Sequence, residues 1–303
     1  MITIVTAFFN INRGNWTGFE RTCADYFNYF KLWARLKNKL IVYVETEELK
    51  NKIIEFRSSL GLQDYTIVNV VDIFNIEPEL YNRIVLATSN LIQQKFRLFP
   101  NNPECWNDRY NYIMLMKTWC VCDAISKKQA EGMVAWIDFG YNHGGAVIDK
   151  ASNFNFLWDY DFPAKINLFS LHKMDNRPIF EMIMSMDTYV MGSIMVGLDL
   201  LWHEFWNLLK SSVNSLCDCG LCDDDQNIML MAVRKKPEIF NLLESDWNKI
   251  LYQYGGAHLI LKEQKINKFR SSIGNLINRI RYKFRCAKYA LEIYKHFSKI
   301  KIN

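Results

Sequence analysis

The sequence is poor in the residues that loosen or interrupt a fold. It contains 6 Pro and 13 Gly among 303 residues, while 50% of its residues are hydrophobic. This composition excludes fibrous and disordered proteins, and a chain of this length can bury a core without disulfides or metals. No hydrophobic run approaches the roughly 20 residues of a membrane-spanning helix.

Several catalytic motifs are also missing. The sequence has no Gly-x-Ser-x-Gly element, no P-loop and no Gly-x-Gly-x-x-Gly fingerprint, which leaves nucleophilic catalysis with little support. Asp138-Phe139-Gly140 matches the metal motif of protein kinases, but no His-Arg-Asp loop precedes it. We therefore discount a kinase.

The eight cysteines do not form a paired metal-binding pattern. Cys120 and Cys122 form one cluster and a second lies between Cys217 and Cys222, but neither contains two Cys-x-x-Cys pairs. A zinc site in the second cluster would need a fourth ligand. Residues 1–5 lack the basic region of a secretion signal. Reduced thiols and a cytoplasmic location are therefore expected.

The hydrophobic pattern predicts an α/β fold with a mostly parallel twisted sheet flanked by helices. Continuous apolar runs such as 40–44 are typical of strands buried on both faces. A capping box of Thr17 and Glu20 is expected to open the first helix. The expected strands are 2–9, 40–44, 65–71, 133–137, 166–171 and 188–197, and the expected helices are 17–37, 47–60, 78–92, 108–129, 199–212 and one that begins at 223–225.

Acidic residues stand at two places where this fold would present them to a ligand. Asp138 ends the apolar run 133–137, and residues 223–225 are three consecutive Asp that open a helix. Ligands of doubly wound sheets lie outside the carboxyl ends of the strands, where Arg13 and Glu45 are also expected. This layout suits the binding of a sugar diphosphate, with a catalytic carboxylate base on the side of the sugar opposite the diphosphate.

Asp138 is the predicted ligand of a divalent cation, Mn²⁺ or Mg²⁺, that would neutralise the diphosphate. The alternative is an Asp that caps a strand end, and Gly140 favours the ligand role because it leaves room for a phosphate. His258, beside two glycines, is a second candidate ligand, although a lone His is more often structural. Arg13 and Lys117 are candidates to pair with phosphate oxygens.

The acceptor hydroxyl would need a base. Asp225 is the predicted base and Asp224 is the second candidate, while Asp223 is the predicted helix N-cap. Three consecutive acids repel one another, so capping alone does not account for them.

At these residues the chain resembles the bacterial HtrL/YibB family. The resemblance covers about residues 2–255. It implies a GT-A-like glycosyltransferase of lipopolysaccharide or capsule assembly, similar to bacterial β-galactofuranosyltransferases. The matching elements are Ile4-Val5-Thr6-Ala7-Phe8-Phe9 with Arg13, Tyr110-Asn111-Tyr112 with Lys117, Trp136-Ile137-Asp138-Phe139-Gly140-Tyr141, and Asp223-Asp224-Asp225-Gln226 with Pro237-Glu238-Ile239-Phe240.

The resemblance implies an inverting transfer from a UDP-sugar, with UDP-galactofuranose as the expected donor, to a glycan or lipid-linked glycan. One departure is that the usual Asp-x-Asp of GT-A enzymes is here Asp-Phe-Gly, which puts metal dependence in question. The expected donor-binding residues are Thr6, Ala7, Phe8, Arg13, Glu45, Asn111, Lys117, Asp138, Phe139 and Gly140. The expected acceptor-binding residues are Gln226, Gly192 and Trp202, and the expected metal ligands are Asp138 and His258.

The last forty residues differ from the rest of the chain. Residues 264–303 contain eleven Lys and Arg and one acid, Glu292, so the net charge of +5 divides into +10 here and −5 in residues 1–263. An apolar stripe follows helical spacing along this tail. Its members are Ile266, Phe269, Ile273, Leu276, Ile280, Phe284, Ala287, Leu291 and Tyr294.

We expect this basic tail, a unit separate from residues 1–263, to lie on the inner face of the cytoplasmic membrane. A partner helix, as in a homodimer, is the alternative. Nucleic acid is disfavoured because no known binding module is present. The rival to an enzyme is a non-catalytic membrane-associated scaffold of the glycan assembly machinery.

Overall fold

The described part of the protein is built around one sheet of seven strands. The structure, a computed structural model, describes residues 1–174, 176–262 and 268–297. The strands are β1 Thr3–Phe8, β2 Leu40–Val44, β3 Thr66–Val70, β4 Met133–Ile137, β5 Ile166–Ser170, β6 Val190–Leu198 and β7 Phe240–Glu244. They lie in the order β3-β2-β1-β4-β6-β5-β7. Neighbours are parallel, except that β6 is antiparallel to β4 and β5. The predicted mostly parallel α/β sheet is confirmed.

Helices cover both faces of the sheet. They are α1 Cys23–Trp33, α2 Glu47–Ser58, α3 Pro78–Thr88, α4 Leu91–Phe96, α5 Asp108–Ser126, α6 Ile179–Ser185, α7 Asp199–Asp218, α8 Asp225–Lys235, α9 Ile250–Gln253 and α10 Lys268–Phe297. Successive side chains of a strand point to opposite faces. Ile4 therefore joins the hydrophobic cluster that contains Trp33 of α1, while Val5 joins the cluster that contains Leu115 of α5.

The strand order places a topological switch point between β1 and β4. From β1 the chain adds β2 and then β3 on one side, whereas β4 pairs with the other side of β1. Val5 has Ile41 as its partner on one side and Trp136 on the other. The carboxyl ends of β1 and β4 thus lie side by side, which is where open α/β sheets bind ligands.

The first helix is present but shorter than the predicted 17–37, and its predicted cap is wrong. Residues 13–22 form a loop that includes the 3₁₀ turn Arg13–Asn15, and α1 begins only at Cys23. The capping box consists of Thr22 and Asp25, whose backbone and side-chain groups bond reciprocally. Gly18 has φ +81°, a left-handed conformation that ends a helix. This loop forms one wall of the candidate site.

The basic tail is helical, as predicted. In α10 the Arg285 Nε donates to the Lys95 carbonyl at 3.0 Å, and Tyr289 approaches Phe96 with ring centroids 6.2 Å apart. Ile266 lies outside the described residues, as do the side chains of Phe269 and Ile273 and the predicted boundary at residue 263. The other members of the apolar stripe, from Leu276 to Tyr294, are exposed. No helix in the described part of the chain is both long and apolar enough to cross a bilayer.

Candidate functional site

A cavity of about 400 Å³ opens at the switch point. Its floor is formed by Ala7 and Phe8 at the end of β1 and by Asp138 and Gly140 after β4. Lys117 of α5 lines it from the side. Arg13 and Asp138, which the sequence places at the carboxyl ends of strands, both line this cavity.

Lys117 is the centre of a buried polar cluster at one side of this cavity. Its ammonium lies 2.9 Å from Asp138 Oδ1, 2.8 Å from Asp225 Oδ2 and 3.1 Å from the Gly192 carbonyl oxygen. Burial alone would lower the pKa of Lys117, but the Asp138 and Asp225 carboxylates outweigh it and raise that pKa. Lys117 is therefore a fixed cation whose three N–H groups all have oxygen partners.

Asp225 lies behind Lys117 and is withdrawn from solvent. Its side chain is 5% exposed, at the start of α8. Burial raises the pKa of the Asp225 carboxyl, and the Lys117 ammonium opposes that rise. Gly192 in β6 makes the position available, because a Cβ there would overlap the Asp225 carboxylate. Gly192, expected to meet the acceptor, thus makes room for a carboxylate.

Asp138 is the acid that the cavity presents to a ligand. It is the one Asp or Glu among the described residues that line this cavity, and its side chain is 33% exposed. Trp136 Nε1 donates to Asp138 Oδ1 at 2.8 Å, the same oxygen that Lys117 approaches. The second oxygen, Oδ2, has no hydrogen bond to any described residue, so one oxygen is anchored and the other can meet a substrate.

The loop after β1 supplies an arginine to the cavity. Arg13 donates from Nε to the Phe19 carbonyl at 3.2 Å and from Nη1 to the Tyr26 hydroxyl at 3.0 Å. Its guanidinium also lies over the rings of Trp16 and Tyr110, at 5.6 and 5.9 Å from their centroids. These contacts hold a planar cation at the cavity wall.

A second arginine lies beside a histidine at the rim. Arg21 Nη1 is 3.1 Å from His143 Nε2. His143 is exposed at the rim, yet partial desolvation of its ring, aided by the charge of Arg21, lowers its pKa to about 4. His143 is therefore neutral at neutral pH, and the nearby charges of Arg13 and Asp138 also act on it.

A strained loop positions His143. Asn142 and His143 both have positive φ, 60° and 42°, within the turn Tyr141–Gly144. The buried Asn142 side chain stabilises this turn by accepting hydrogen bonds from the backbone N–H groups of Val147 and Ile148, both at 2.9 Å. Non-glycine residues with positive φ are uncommon and often lie at functional sites.

Gly140 has a different role from the one expected. A Cβ at this position would lie 2.9 Å from the Tyr26 ring. The space beside Gly140 is therefore occupied by Tyr26 of α1, and the glycine permits this close packing rather than leaving a gap for a phosphate. Phe139, its neighbour, stacks on Phe30 with ring centroids 4.3 Å apart.

The three consecutive Asp have three separate environments. Asp223 pairs with the buried Arg97 at 2.9 Å. Asp224, and not Asp223 as predicted, is the N-cap of α8, because its carboxylate accepts from the Gln226 backbone N–H. Burial, with the charges of Asp223 and Asp225 adding to it, raises the pKa of Asp224 well above its ordinary value. All three are buried, while Gln226 lines the cavity.

Five other expected site residues do not line the cavity. Thr6 is buried inside β1, and Glu45 sits beside the site, where its carboxylate accepts from the Asn10 backbone N–H. Asn111 Nδ2 donates to the Glu104 carbonyl, and Trp202 Nε1 donates to the Gly197 carbonyl within the core. His258 contacts the Asn153 carbonyl and the Phe156 ring.

The expected divalent cation does not fit this arrangement. In the described part of the chain, no group of three or more His, Cys, Asp or Glu could hold a metal ion. Asp138 Oδ1 is already bound by Trp136 and by the Lys117 ammonium, and His258 is engaged elsewhere. A metal at Asp138 would face the positive charge of Lys117 at short range.

Sequence reasoning missed Arg21 and His143. Arg21 fell inside a predicted helix, although it belongs to a loop. His143 follows Asp138 by five residues and precedes Gly144 and Gly145. A histidine followed by two glycines, soon after an acid at a strand end, indicates a loop whose backbone can come close to a ligand.

This chain is similar to a bacterial protein family and to one of its members. Residues 1–254 match the family described as "Bacterial protein of unknown function (HtrL_YibB)". Protein HtrL of Escherichia coli (strain K12) is 32% identical over 258 residues, which are 79% of this chain and 86% of HtrL.

Two solved structures share a lower similarity. A glycosyltransferase involved in the glycosylation of the major capsid of PBCV-1 gives a TM-score of 0.39 at 10% identity, over 93% of this chain and 98% of that one. The PaToxG glycosyltransferase gives 0.36 at 7% identity, over 78% and 69%. The sequence match covers most of the chain and includes both acidic elements and Lys117. The chain therefore belongs to the HtrL_YibB family.

Proposed function

We propose that the protein is a glycosyltransferase that takes its sugar from a nucleoside diphosphate sugar. The observation that carries the proposal is the cavity at the switch point between β1 and β4, with Asp138 as its acid. Cavities in this position bind nucleotides in open α/β sheets. Its size suits a ligand of this class, since ligand pockets generally measure about 300–1,000 Å³.

The charge and the walls of the cavity support a diphosphate and a planar base. Among the described residues that line the cavity, Arg13, Arg21 and Lys117 outnumber the single acid Asp138, so this part of the lining has an excess of positive charge. Guanidinium groups bind phosphate oxygens in pairs of hydrogen bonds. Aromatic side chains such as Tyr110 and Trp247 offer faces on which a nucleobase or a sugar can stack.

Asp138 is proposed as the carboxylate that meets the reacting groups. The acceptor oxygen attacks the anomeric carbon, its proton passes to a carboxylate base, and the electron pair of the broken bond leaves with the diphosphate. Asp138 lines the cavity and its Oδ2 has no hydrogen bond to a described residue, whereas Asp225, the base expected from sequence, is buried and paired with Lys117. Asp225 then acts as a positioning residue that holds Lys117 against Asp138.

The finer identity of the substrates comes from the sequence resemblance. It favours an inverting reaction, UDP-galactofuranose as donor, and a glycan or lipid-linked glycan of lipopolysaccharide or capsule as acceptor. The exposed apolar stripe of α10 and its exposed cations, such as Arg279, Lys283 and Lys288, favour an anionic bilayer as the surface on which it works.

A donor screen followed by one variant tests the proposal. Nucleotides and UDP-sugars are ranked by thermal stabilisation, and turnover is then measured as release of UDP from the best donor. We expect Asp138→Asn to lower turnover by about 10²–10⁴-fold, because a neutral amide cannot accept the acceptor proton. The matched control is Asp64→Asn, which neutralises an exposed acid in the turn just before β3, outside the cavity lining.

Two results would contradict the proposal. If no nucleotide or nucleotide sugar stabilises the chain, a donor site is absent and a non-catalytic scaffold becomes the better account. If Asp138→Asn turns over like Asp64→Asn, the base lies elsewhere.

A further inference from the structure

We propose that the Lys117 ammonium stands where a divalent cation would otherwise lie, and that Arg13 and Arg21 neutralise the diphosphate, so that the donor binds without metal. This inference rests on the proposed function and specifies how its leaving group is recognised. It reverses the expectation of Mn²⁺ or Mg²⁺ that the resemblance suggested.

The coordination of Lys117 is the first support. Its ammonium contacts one oxygen each from Asp138, Asp225 and Gly192, at 2.8 to 3.1 Å. Hard divalent cations seek such a set of carboxylate and carbonyl oxygens. Here a covalently attached cation already occupies it, and a metal bridging both carboxylates would first have to displace a buried lysine.

The local charge balance is the second support. Lys117 compensates for Asp225, which is buried and has no other cation partner among the described residues. If Lys117 moved away to admit a metal, its three hydrogen bonds would be lost. Removing one partner of a buried ion pair is strongly destabilising, so the folded chain favours the ammonium over an exchangeable ion.

The two arginines are the third support. Arg13 is held by two hydrogen bonds and by the Trp16 and Tyr110 rings, and Arg21 lies against His143. Both line the cavity that contains Asp138. When the glycosidic bond breaks, the bonding electron pair goes to the diphosphate oxygen, and these fixed positive charges are placed to stabilise it. The neutral His143 can donate or accept a hydrogen bond there without adding charge.

The primary test is UDP affinity with and without metal. Isothermal titration calorimetry of the full chain is carried out with UDP in EDTA and again with UDP in excess MnCl₂. We expect the two dissociation constants to agree within about threefold. Arg13→Gln and Arg21→Gln should each weaken UDP by about tenfold or more in both buffers. Arg35→Gln, which removes an exposed arginine outside the cavity, should leave the affinity unchanged.

A second variant changes the affinity of the protein for Mn²⁺ only if Lys117 takes the place of a cation, and not if its role is merely structural. Lys117→Gln leaves Asp138 and Asp225 facing each other without the ammonium. We expect this protein to bind Mn²⁺ more tightly than the wild type, measured by loss of the free Mn²⁺ signal in electron paramagnetic resonance, and its UDP affinity to become dependent on metal. Should the variant fail to fold, the wild-type comparison still decides the question.

Each outcome has a distinct meaning. UDP binding of equal strength in both buffers supports the inference. Binding in Mn²⁺ but not in EDTA overturns it while leaving the proposed glycosyltransferase intact. Absence of binding in both buffers overturns the proposed function and this inference with it. Wild-type binding that is indifferent to both arginine substitutions also contradicts the assignment of the diphosphate to Arg13 and Arg21.

Discussion

The buried polar cluster of the site unites side chains from three separate parts of the sequence. Lys117 and Asp138 were singled out from the sequence, and the structure brings them within 2.9 Å of each other. Asp225 joins them because β6 carries a glycine at position 192. No sequence pattern shows that a lysine on α5 and an acid on α8 share one oxygen cluster, since 108 positions separate them.

Gly192→Ala tests this cluster. The added methyl group overlaps the Asp225 carboxylate and must displace it from Lys117. We expect the free energy of unfolding to fall by about 3 kcal/mol, because a buried ion pair is disturbed in a tightly packed place. Chemical denaturation measures it.

Ser193→Ala is the matched control for Gly192→Ala. The Ser193 hydroxyl is buried without a hydrogen-bond partner among the described residues, so its loss should change stability little. Equal effects of the two substitutions would show that β6 tolerates a methyl group beside Asp225, and the packing account would be wrong.

The lowered pKa of His143 predicts how this residue affects the stability of the protein as pH changes. Its folded-state pKa of about 4 lies below the ordinary value of 6.5. Between these values the unfolded chain binds a proton that the folded chain excludes, so this group lowers stability as pH falls from 6.5 towards 4. NMR titration of the His143 ring should give a midpoint near 4, and Arg21→Gln should raise it. A wild-type midpoint near 6.5 would contradict the described environment.

Helices and strands differ in how far the sequence predicts them. Six strands were predicted to within two residues at each end, because runs such as 40–44 are apolar throughout and buried on both faces. β7 was not predicted, since it is an edge strand with half-buried side chains and polar Asn241 and Glu244. In the loop before α1, a chance Thr17–Glu20 spacing imitates a capping box and so predicts a helix start that the structure does not have.

The basic helix α10 leads to a prediction of its own. Its exposed apolar stripe includes Phe284, which is 75% exposed, and cations flank it. A helix of this kind is held at an anionic bilayer by apolar burial plus roughly 1 kcal/mol per Lys or Arg near the surface. The full chain should float with anionic liposomes and be released by high salt.

The control for α10 is a chain that ends at residue 263. It should stay in solution with the same vesicles and still bind UDP, since all the described residues that line the cavity come before that point. If the full chain ignores anionic vesicles and instead forms a dimer that the shortened chain does not, α10 is an oligomerisation element. The membrane proposal would then be wrong.

The molecule as a whole owes its site to strand order. The reversal of strand addition beside β1 creates the crevice, and the loops after β1 and β4 surround it with Arg13, Arg21 and His143. The sequence predicted the acid at the end of β4. It could not predict the arginine loop or the lysine between two carboxylates, because both depend on contacts between segments distant along the chain.

The most direct measurement of the central claim is a structure of the full chain with UDP or an unreactive UDP-sugar bound. We expect the nucleotide in the cavity between β1 and β4, with its diphosphate within hydrogen-bond distance of Arg13 and Arg21 and its sugar towards Asp138. Lys117 should remain between Asp138 and Asp225. A nucleotide bound at any other surface, or a diphosphate held away from both arginines with Asp138 unengaged, would contradict the account.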